Sequence, residues 1–518
     1  MSRIASRRLL RAIVLVSGVA PLPAHAQTDG VAAARAYREA HGPRILRDYA
    51  ALLAIPNVAS DSANIRRNAT VLRTLLAERG VRAELLTVPG APPVVFGRLD
   101  VPGATRTLAL YAHYDGQPAN PAEWRHGPWE PTLYTAHHAA GGTPRDLPPD
   151  GVPIGPEWRL YARSAGDDKA PIGALLAVLD AFREQGLTAT SNLVFFFEGE
   201  EEAGSPHLRT YLDTYAGRLA DVDVWLFLDG PVHQSGRPLL AFGVRGVTRL
   251  EVTVYGPVRG LHSGHYGNWA PVPGRLLAQL LATMWDDDGT VRVAGFYDDV
   301  APIGAAERAA IAALPAYDAE LKRELGLART EGEPATLAER LMLPALTVLG
   351  LQSANVGPLA SNVIPTSATA TLGVRLVQGN DPERMLDRLE AHLRAQGYHV
   401  VRAEPDRATR LAHPRIARVE RDVGYPAART PMDVPVVRDV IAAARRVAGD
   451  ELVLLPGMGG SLPLYLFTDV LRKPAVIVPV ANHDNNQHAP DENLRVANLW
   501  YAIDLFGALL TMPAPATP

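Results

Sequence analysis

The chain turns on Leu193-Val194-Phe195-Phe196-Phe197-Glu198-Gly199-Glu200-Glu201-Glu202-Ala203-Gly204-Ser205, where an apolar run stops at four carboxylates within five positions. A strand covered on both faces reads as such a continuous apolar run. In open α/β sheets, ligands bind beyond the carboxyl ends of the strands. The stretch therefore drives a strand through a core and releases acidic side chains at its mouth. A solvated acidic turn is the alternative, as for most charge runs. Against it, a surface turn seldom follows three phenylalanines directly. Like charges this close also repel unless a cation, most naturally a metal, sits among them.

Working outward, other strands end the same way. Residues 107–111 read as a strand that runs into His113-Tyr114-Asp115. The His-x-Asp spacing sets both side chains on one face of an extended segment, so His113 can meet a metal while Asp115 fixes its ring from behind. Residues 158–163 form a short strand before Asp167-Asp168-Lys169 and a helix over 170–185. Either aspartate could simply cap that helix. A further strand over 222–228 ends at Asp229. Four strand ends thus present His113, Asp167, Glu201/Glu202 and Asp229. Nitrogen and oxygen donors without sulfur suit Zn²⁺, Mn²⁺ or Co²⁺. More carboxylates than one ion needs point to two divalent ions per chain.

Composition bounds the rest. The 518 residues are 47% hydrophobic and 20% charged, which predicts a globular protein of two or more domains. Residues 1–26 read as a signal peptide: Arg3, Arg7, Arg8 and Arg11, a short apolar segment, then Ala24-His25-Ala26. This predicts an exported protein, periplasmic or extracellular; Ser6-Arg7-Arg8-Leu9-Leu10 loosely resembles a twin-arginine signal, so Sec and Tat routes both stay open. The formal net charge is −4, and removing four arginines with the signal gives −4 − 4 = −8. That balance gives no reason to expect a nucleic-acid partner, and no later segment is long and apolar enough for a membrane span. Cysteine is absent, which excludes thiol ligands and cysteine nucleophiles.

The motifs His113-Tyr114-Asp115-Gly116-Gln117-Pro118, Asp167-Asp168-Lys169, Glu198 to Ser205, Asp229, Leu261-His262-Ser263-Gly264, Asn362-Val363-Ile364-Pro365, Gly459-Gly460-Ser461-Leu462-Pro463 and His488-Ala489-Pro490-Asp491-Glu492 follow one another along the chain. In that order they resemble the metallopeptidase family of carnosinase, cytosolic non-specific dipeptidase, bacterial glutamate carboxypeptidase, acetylornithine deacetylase and succinyl-diaminopimelate desuccinylase, and look closest to its dipeptidase branch. The resemblance implies that Asp167 bridges two ions, with His113 and Asp229 completing one site and Glu202 and His488 the other. It implies Glu201 as general base and acid. It also implies that His262 reaches the partner subunit's active site in a homodimer, and that Arg375 holds the substrate carboxylate. Asn362, Gly460 and Ser461 are implied contacts to substrate carbonyl or carboxylate groups. Three departures stand out: Gly457-Met458 in place of Arg-Glu, Ala170 in place of Gly, and Asn268 in place of Gly. None removes a ligand or the base, and the first bears on carnosinase-like substrate choice.

The expected fold is α/β: a mostly parallel sheet with helices on both faces, plus an inserted ferredoxin-like α+β lid and dimerisation domain. The catalytic domain spans 27–244 and 426–518, and the lid spans 245–425. Within the lid, strands over 247–255, 346–352 and 366–377, a last strand between 398 and 423, and helices over 271–285 and 382–396 give the order β-α-β-β-α-β. A helical insertion over about 305–341 interrupts it. The expected activity is a secreted dinuclear metal-dependent dipeptidase or exopeptidase acting on short peptides. The alternatives are an N-acyl amino acid deacylase with the same site, or a non-catalytic peptide-binding protein.

Overall fold

The computed structural model describes residues 29–514, so the signal-peptide reading of residues 1–26 lies outside the described residues. An eight-stranded sheet is built from β1 (Arg82–Leu86), β2 (Val94–Leu99), β3 (Thr107–His113), β4 (Asn192–Glu198), β5 (Val224–Phe227), β6 (Leu239–Ala241), β12 (Val453–Leu455) and β13 (Ala475–Ile477), where β7 to β11 belong to the second sheet described below. Its spatial order is β1-β2-β4-β3-β5-β13-β6-β12. The centre, β4-β3-β5-β13, is parallel throughout, and β1 and β2 join it antiparallel.

The apolar run of β4 divides by the two-residue period of a strand. Phe195 and Phe197 enter a core with α1 (Gly30–Leu53), α2 (Ser62–Glu78), α3 (Lys169–Gln185), α6 (Pro435–Ala448) and α7 (Val496–Leu510). Val194 and Phe196 enter a second core on the other face, against Leu208, Tyr211 and Phe467. With helices or loops on both faces, every position from Leu193 to Glu198 is buried.

The second sheet has five strands: β7 (Gly246–Tyr255), β8 (Ala345–Gln352), β9 (Ser367–Leu376), β10 (His399–Val401) and β11 (Ile416–Arg421), in the order β8-β9-β7-β11-β10. Leaving out β10, the chain-order ranks read 2-3-1-4, the strand order of the expected β-α-β-β-α-β pattern. Alternate residues of β9, from Ala368 to Leu376, point into a core with α4 (Pro273–Leu281) and α5 (Pro382–Ala395). The other face of the central strands β7 and β9 is mostly half-buried.

Local differences from the sequence reading have simple causes. The last lid strand is two, β10 and β11, paired parallel. Residues 117–157 carry short strands: Thr132–Tyr134 and Pro144–Arg145 pair in a four-stranded sheet with Arg159–Tyr161 and Asn493–Arg495. Strands of two or three residues are too short to show a period. No helix follows the acidic stretch directly: the next one begins only at Leu208 and breaks at Tyr215. Gly204 and Ser205 both adopt positive φ, +87° and +51°, which no helix can continue through.

Candidate metal centre

The four acids at the end of β4 do four different things. Glu198 accepts from Tyr111 Oη at 2.6 Å. Glu200 accepts from the His207 backbone N–H at 3.1 Å and meets its ring nitrogen at 3.0 Å. Glu201 approaches His113 Nε2 to 3.8 Å, and Glu202 meets His488 Nε2 at 3.1 Å. Gly199 carries no side chain because one would strike the Tyr114 hydroxyl. A short 3₁₀ turn, Glu201–Ala203, aims the last pair away from the strand.

Two groups of donors converge at this edge. His113, Asp168 and Asp229 each offer an atom within 4.8 Å of the others, and so do Asp167, Glu202 and His488. Asp167 joins them, with Oδ1 2.9 Å from His113 Nε2 and Oδ2 3.0 Å from His488 Nε2. Its two oxygens thus face the two groups, the arrangement a bridging carboxylate requires. Asp168 sits at the start of α3 yet makes no side-chain cap. Its Oδ2 accepts the His113 backbone N–H at 3.1 Å, while its buried Oδ1 has no hydrogen-bond partner. An orphaned carboxylate oxygen in a dry site is costly unless a cation meets it.

Asp115 stands behind the centre. It lies 3.4 Å from His113 Nδ1 and accepts the backbone N–H groups of Glu201 and Glu202 at 3.1 and 3.0 Å. One carboxylate therefore orients a ligand ring and fixes the acidic turn. Glu492, fully buried, accepts from Ser164, Gly166 and Asp167 backbone N–H groups at 2.9–3.0 Å and from Arg163 at 2.7 Å, so it holds the loop that presents Asp167. Gln117 donates to Glu202 at 2.8 Å and Gln487 to Asp167 at 2.7 Å. Lys169 points away, donating to Asn68 and to Leu52 and Ile55 carbonyls.

The electrostatics of this packing call for positive charge. Burial, with Asp229 and Asp167 beside it, pushes the Glu201 carboxyl well above its ordinary range despite His113. Burial and Asp167 push Asp229 up to about 7. The imidazoles answer: hydrogen bonds to Asp167 and Glu202 raise His488 to about 10, and Asp115 and Asp167 raise His113 against the pull of burial. Burial opposes ionisation of Asp167, yet the two imidazoles hold it below the usual carboxylate range. The clustered carboxylates that raise both imidazoles form a donor set that divalent cations fit. Nitrogen and carboxylate oxygen donors with no sulfur match Zn²⁺, Mn²⁺ or Co²⁺.

The remaining expected residues fall in two places. Arg375, on β9, donates to Ser461 Oγ at 2.5 Å, and the Arg245 N–H donates to the Gly460 carbonyl at 3.0 Å. Burial raises the Tyr425 hydroxyl, with Glu201 adding to the rise and Arg375 opposing it. His262 and Asn362 lie elsewhere, on a two-stranded ribbon, Leu261–His262 with Val363–Ile364, that prolongs β7 and β9. Among the described residues, the His262 ring accepts a hydrogen bond from the Gly264 N–H alone, at 3.1 Å. Asn268 holds φ +62°, a left-handed conformation that asparagine tolerates better than most residues.

Comparison with known proteins bears on this geometry. The sequence pattern of Peptidase family M20/M25/M40 matches residues 109–512. A Cys-Gly metallodipeptidase of Candida albicans is 26% identical over 416 residues, 79% of this chain and 78% of that protein. A human Beta-Ala-His dipeptidase is 26% identical over 431 residues, 80% of this chain and 76% of that protein. An M20 family metallo-carboxypeptidase of Sulfolobus solfataricus superposes with a TM-score of 0.70 at 26% identity, covering 90% of this chain and 98% of the other.

Proposed function

This chain belongs to Peptidase family M20/M25/M40, and from that footing we propose that it is a dinuclear metal-dependent dipeptidase or exopeptidase acting on short peptides with a free carboxyl end. The observation that carries the reading is Asp167, whose two oxygens face two donor groups while Glu201 stands beside His113. His113, Asp168 and Asp229 would hold one ion, Glu202 and His488 the other, and Asp167 both. When bound, two divalent ions polarise the scissile carbonyl and lower the pKa of water.

The chain's own residues supply the rest. The Arg375 guanidinium beside Ser461 binds the substrate carboxylate and sets the register of the peptide bond against the centre. Glu201, raised by burial, takes a proton from the attacking water as the new C–O bond forms. It returns that proton to the departing nitrogen as the C–N bond breaks, so one carboxylate acts in both directions. Asp115 holds the Glu201 and Glu202 amides in place throughout. The same chemistry serves an N-acyl amino acid, and Met458 in the loop before Ser461 favours that second reading, because it offers no charge to a substrate's free ammonium.

Two assignments complete the proposal. The polar and apolar pattern of residues 1–26 supports export to the periplasm or the exterior. The exposed apolar edge strand β8 supports a homodimer that pairs through it, with His262 delivered to the partner's site. The decisive experiment is metal analysis and hydrolysis on one sample. Two Zn²⁺, Mn²⁺ or Co²⁺ per chain should accompany cleavage of dipeptides or N-acyl amino acids, and chelation should abolish it reversibly. Full activity in a metal-free preparation would sink the reading.

A further inference from the structure

Val247, on β7, has a polar neighbour on either side. It pairs with Arg375 of β9 on one side. On the other it exchanges two backbone hydrogen bonds with Tyr425, both at 3.0 Å. Tyr425, Val247 and Arg375 therefore form one row across neighbouring strands, and paired residues of an antiparallel ladder project from the same face. That face is opposite to the lid core, which takes Leu250 and Val252 from β7 and Val374 and Leu376 from β9. The outer members of the row stand about 10 Å apart, two strand spacings, a gap that two long side chains can close from either side.

The loop carrying Ser461 is held against this row at three points. Arg375 donates to Ser461 Oγ at 2.5 Å, and the Arg245 N–H donates to the Gly460 carbonyl at 3.0 Å. The Tyr425 ring stacks on Tyr465, four residues beyond Ser461, with centroids 5.9 Å apart and planes 15° apart. A Cβ at Gly460 would meet nothing within 4 Å, so open space borders the loop there. Burial raises the Tyr425 hydroxyl, with Arg375 and Ser461 opposing the rise, so the phenol keeps its proton at neutral pH and can donate it.

We propose that the Tyr425 hydroxyl is a second donor to the free carboxylate of the substrate, facing Arg375 across Ser461 and selecting substrates with an unblocked carboxyl end. The inference rests on the proposed hydrolytic function and adds a residue to its carboxylate anchor. A carboxylate offers about four lone-pair sites, and a guanidinium fork takes two of them. A phenol on the opposite side supplies one more charge-assisted bond and brings no charge of its own to an empty site. The carboxylate takes no part in bond making, so this bond is equally strong in the bound substrate and in the transition state. It therefore sets KM rather than kcat.

The test is Tyr425→Phe in the Zn²⁺-loaded enzyme, a change that keeps the ring and its stack on Tyr465. KM for Leu-Leu or acetyl-leucine should rise about 10- to 100-fold, the usual consequence of losing a hydrogen bond to a charged group. Turnover number, metal content and thermal midpoint should stay near wild type. Calorimetry adds a readout that a packing role would not move: leucine should bind more weakly by the same factor, and leucinamide as in wild type. An unchanged KM, or a fall in kcat alone, overturns the assignment, as does equal weakening of leucine and leucinamide. A variant that loses its metal or its fold makes the hydroxyl a structural group, which also overturns it. If fully metallated wild type cleaves neither substrate, the hydrolytic function fails instead. The calorimetric pair then judges Tyr425: leucine weakened alone upholds it, and any other pattern, including no binding of leucine to wild type, overturns it.

Discussion

The carboxyl end of β4 and the free edge strand β8 are both places where a sheet presents functional groups, yet they are finished to different degrees. At the end of β4 each of the four acids has a named partner within the chain, and Asp115 and Glu492 fix the loops behind them. Along β8, every residue from Thr347 to Gln352 is exposed, including Val348, Leu349 and Leu351. Val356, Leu359 and Val363 continue this open apolar surface toward His262. An exposed apolar edge is a template for pairing, and β8 is such an edge apart from a register shift between Val348 and Gly350. The contrast teaches that the donors of the candidate metal centre all come from one chain, whereas the β8 edge carries an apolar surface that this chain does not cover. The role proposed for His262, on that half, would leave a single chain with an incomplete site.

The sharpest way to break the comparison is to change the complete side. Glu201→Gln keeps shape but cannot take a proton, so turnover should fall about 10²–10⁴-fold. Metal content and thermal midpoint should stay near wild type. Glu202→Gln should instead lower metal occupancy, because Glu202 meets His488 in the second donor group. Equal metal loss in both variants, with Glu201→Gln still active, would reverse the assignment.

The next effect probes the incomplete side. His262→Ala should lower turnover about 10²–10³-fold, the usual consequence of removing one oxyanion donor, while metal content and fold remain intact. The partner relation is read by mixing inactive variants. In a mixed dimer of Glu201→Gln with His262→Ala, the His262→Ala chain keeps its own Glu201 and receives an intact His262 from the other. With random exchange at equal amounts, half the dimers are mixed and half their sites work, so about a quarter of wild-type activity should return. Continued inactivity after proven exchange would place His262 at its own chain's site.

These outcomes also bear on what the sequence could disclose. His113, Asp167, Glu202 and Asp229 were legible because each follows a short apolar run, and a strand's end is a local signal. Glu201 and Glu202 could be told apart only through the family motif, since both leave the same turn. Asp168 was hidden by ambiguity: an aspartate before a helix reads as a cap, and only the structure shows that it makes none. Gln487 and Glu492 serve Asp167 and its loop from more than 300 residues away, a relation no local pattern carries. The short strands between 132 and 161 escaped for want of length.

The smallest effect on stability should come from Leu351→Asp, and it tests the lid edge most directly. Leu351 is 62% exposed in the single chain, so a polar residue there removes no packing. Surface changes of this kind usually stay within about 0.5 kcal/mol. In a symmetric pair joined along β8, however, the substitution adds a charge to each strand of an apolar seam. Two desolvated carboxylates near the two-fold axis would oppose association strongly. The expected result in sedimentation equilibrium is a folded monomer with wild-type metal content. Its turnover should match His262→Ala, since each site has lost the partner's imidazole. A variant that remains dimeric moves the interface away from β8. A monomer with full turnover keeps the interface but returns His262 to its own chain, and the lid edge would then be a site of assembly without a part in the chemistry.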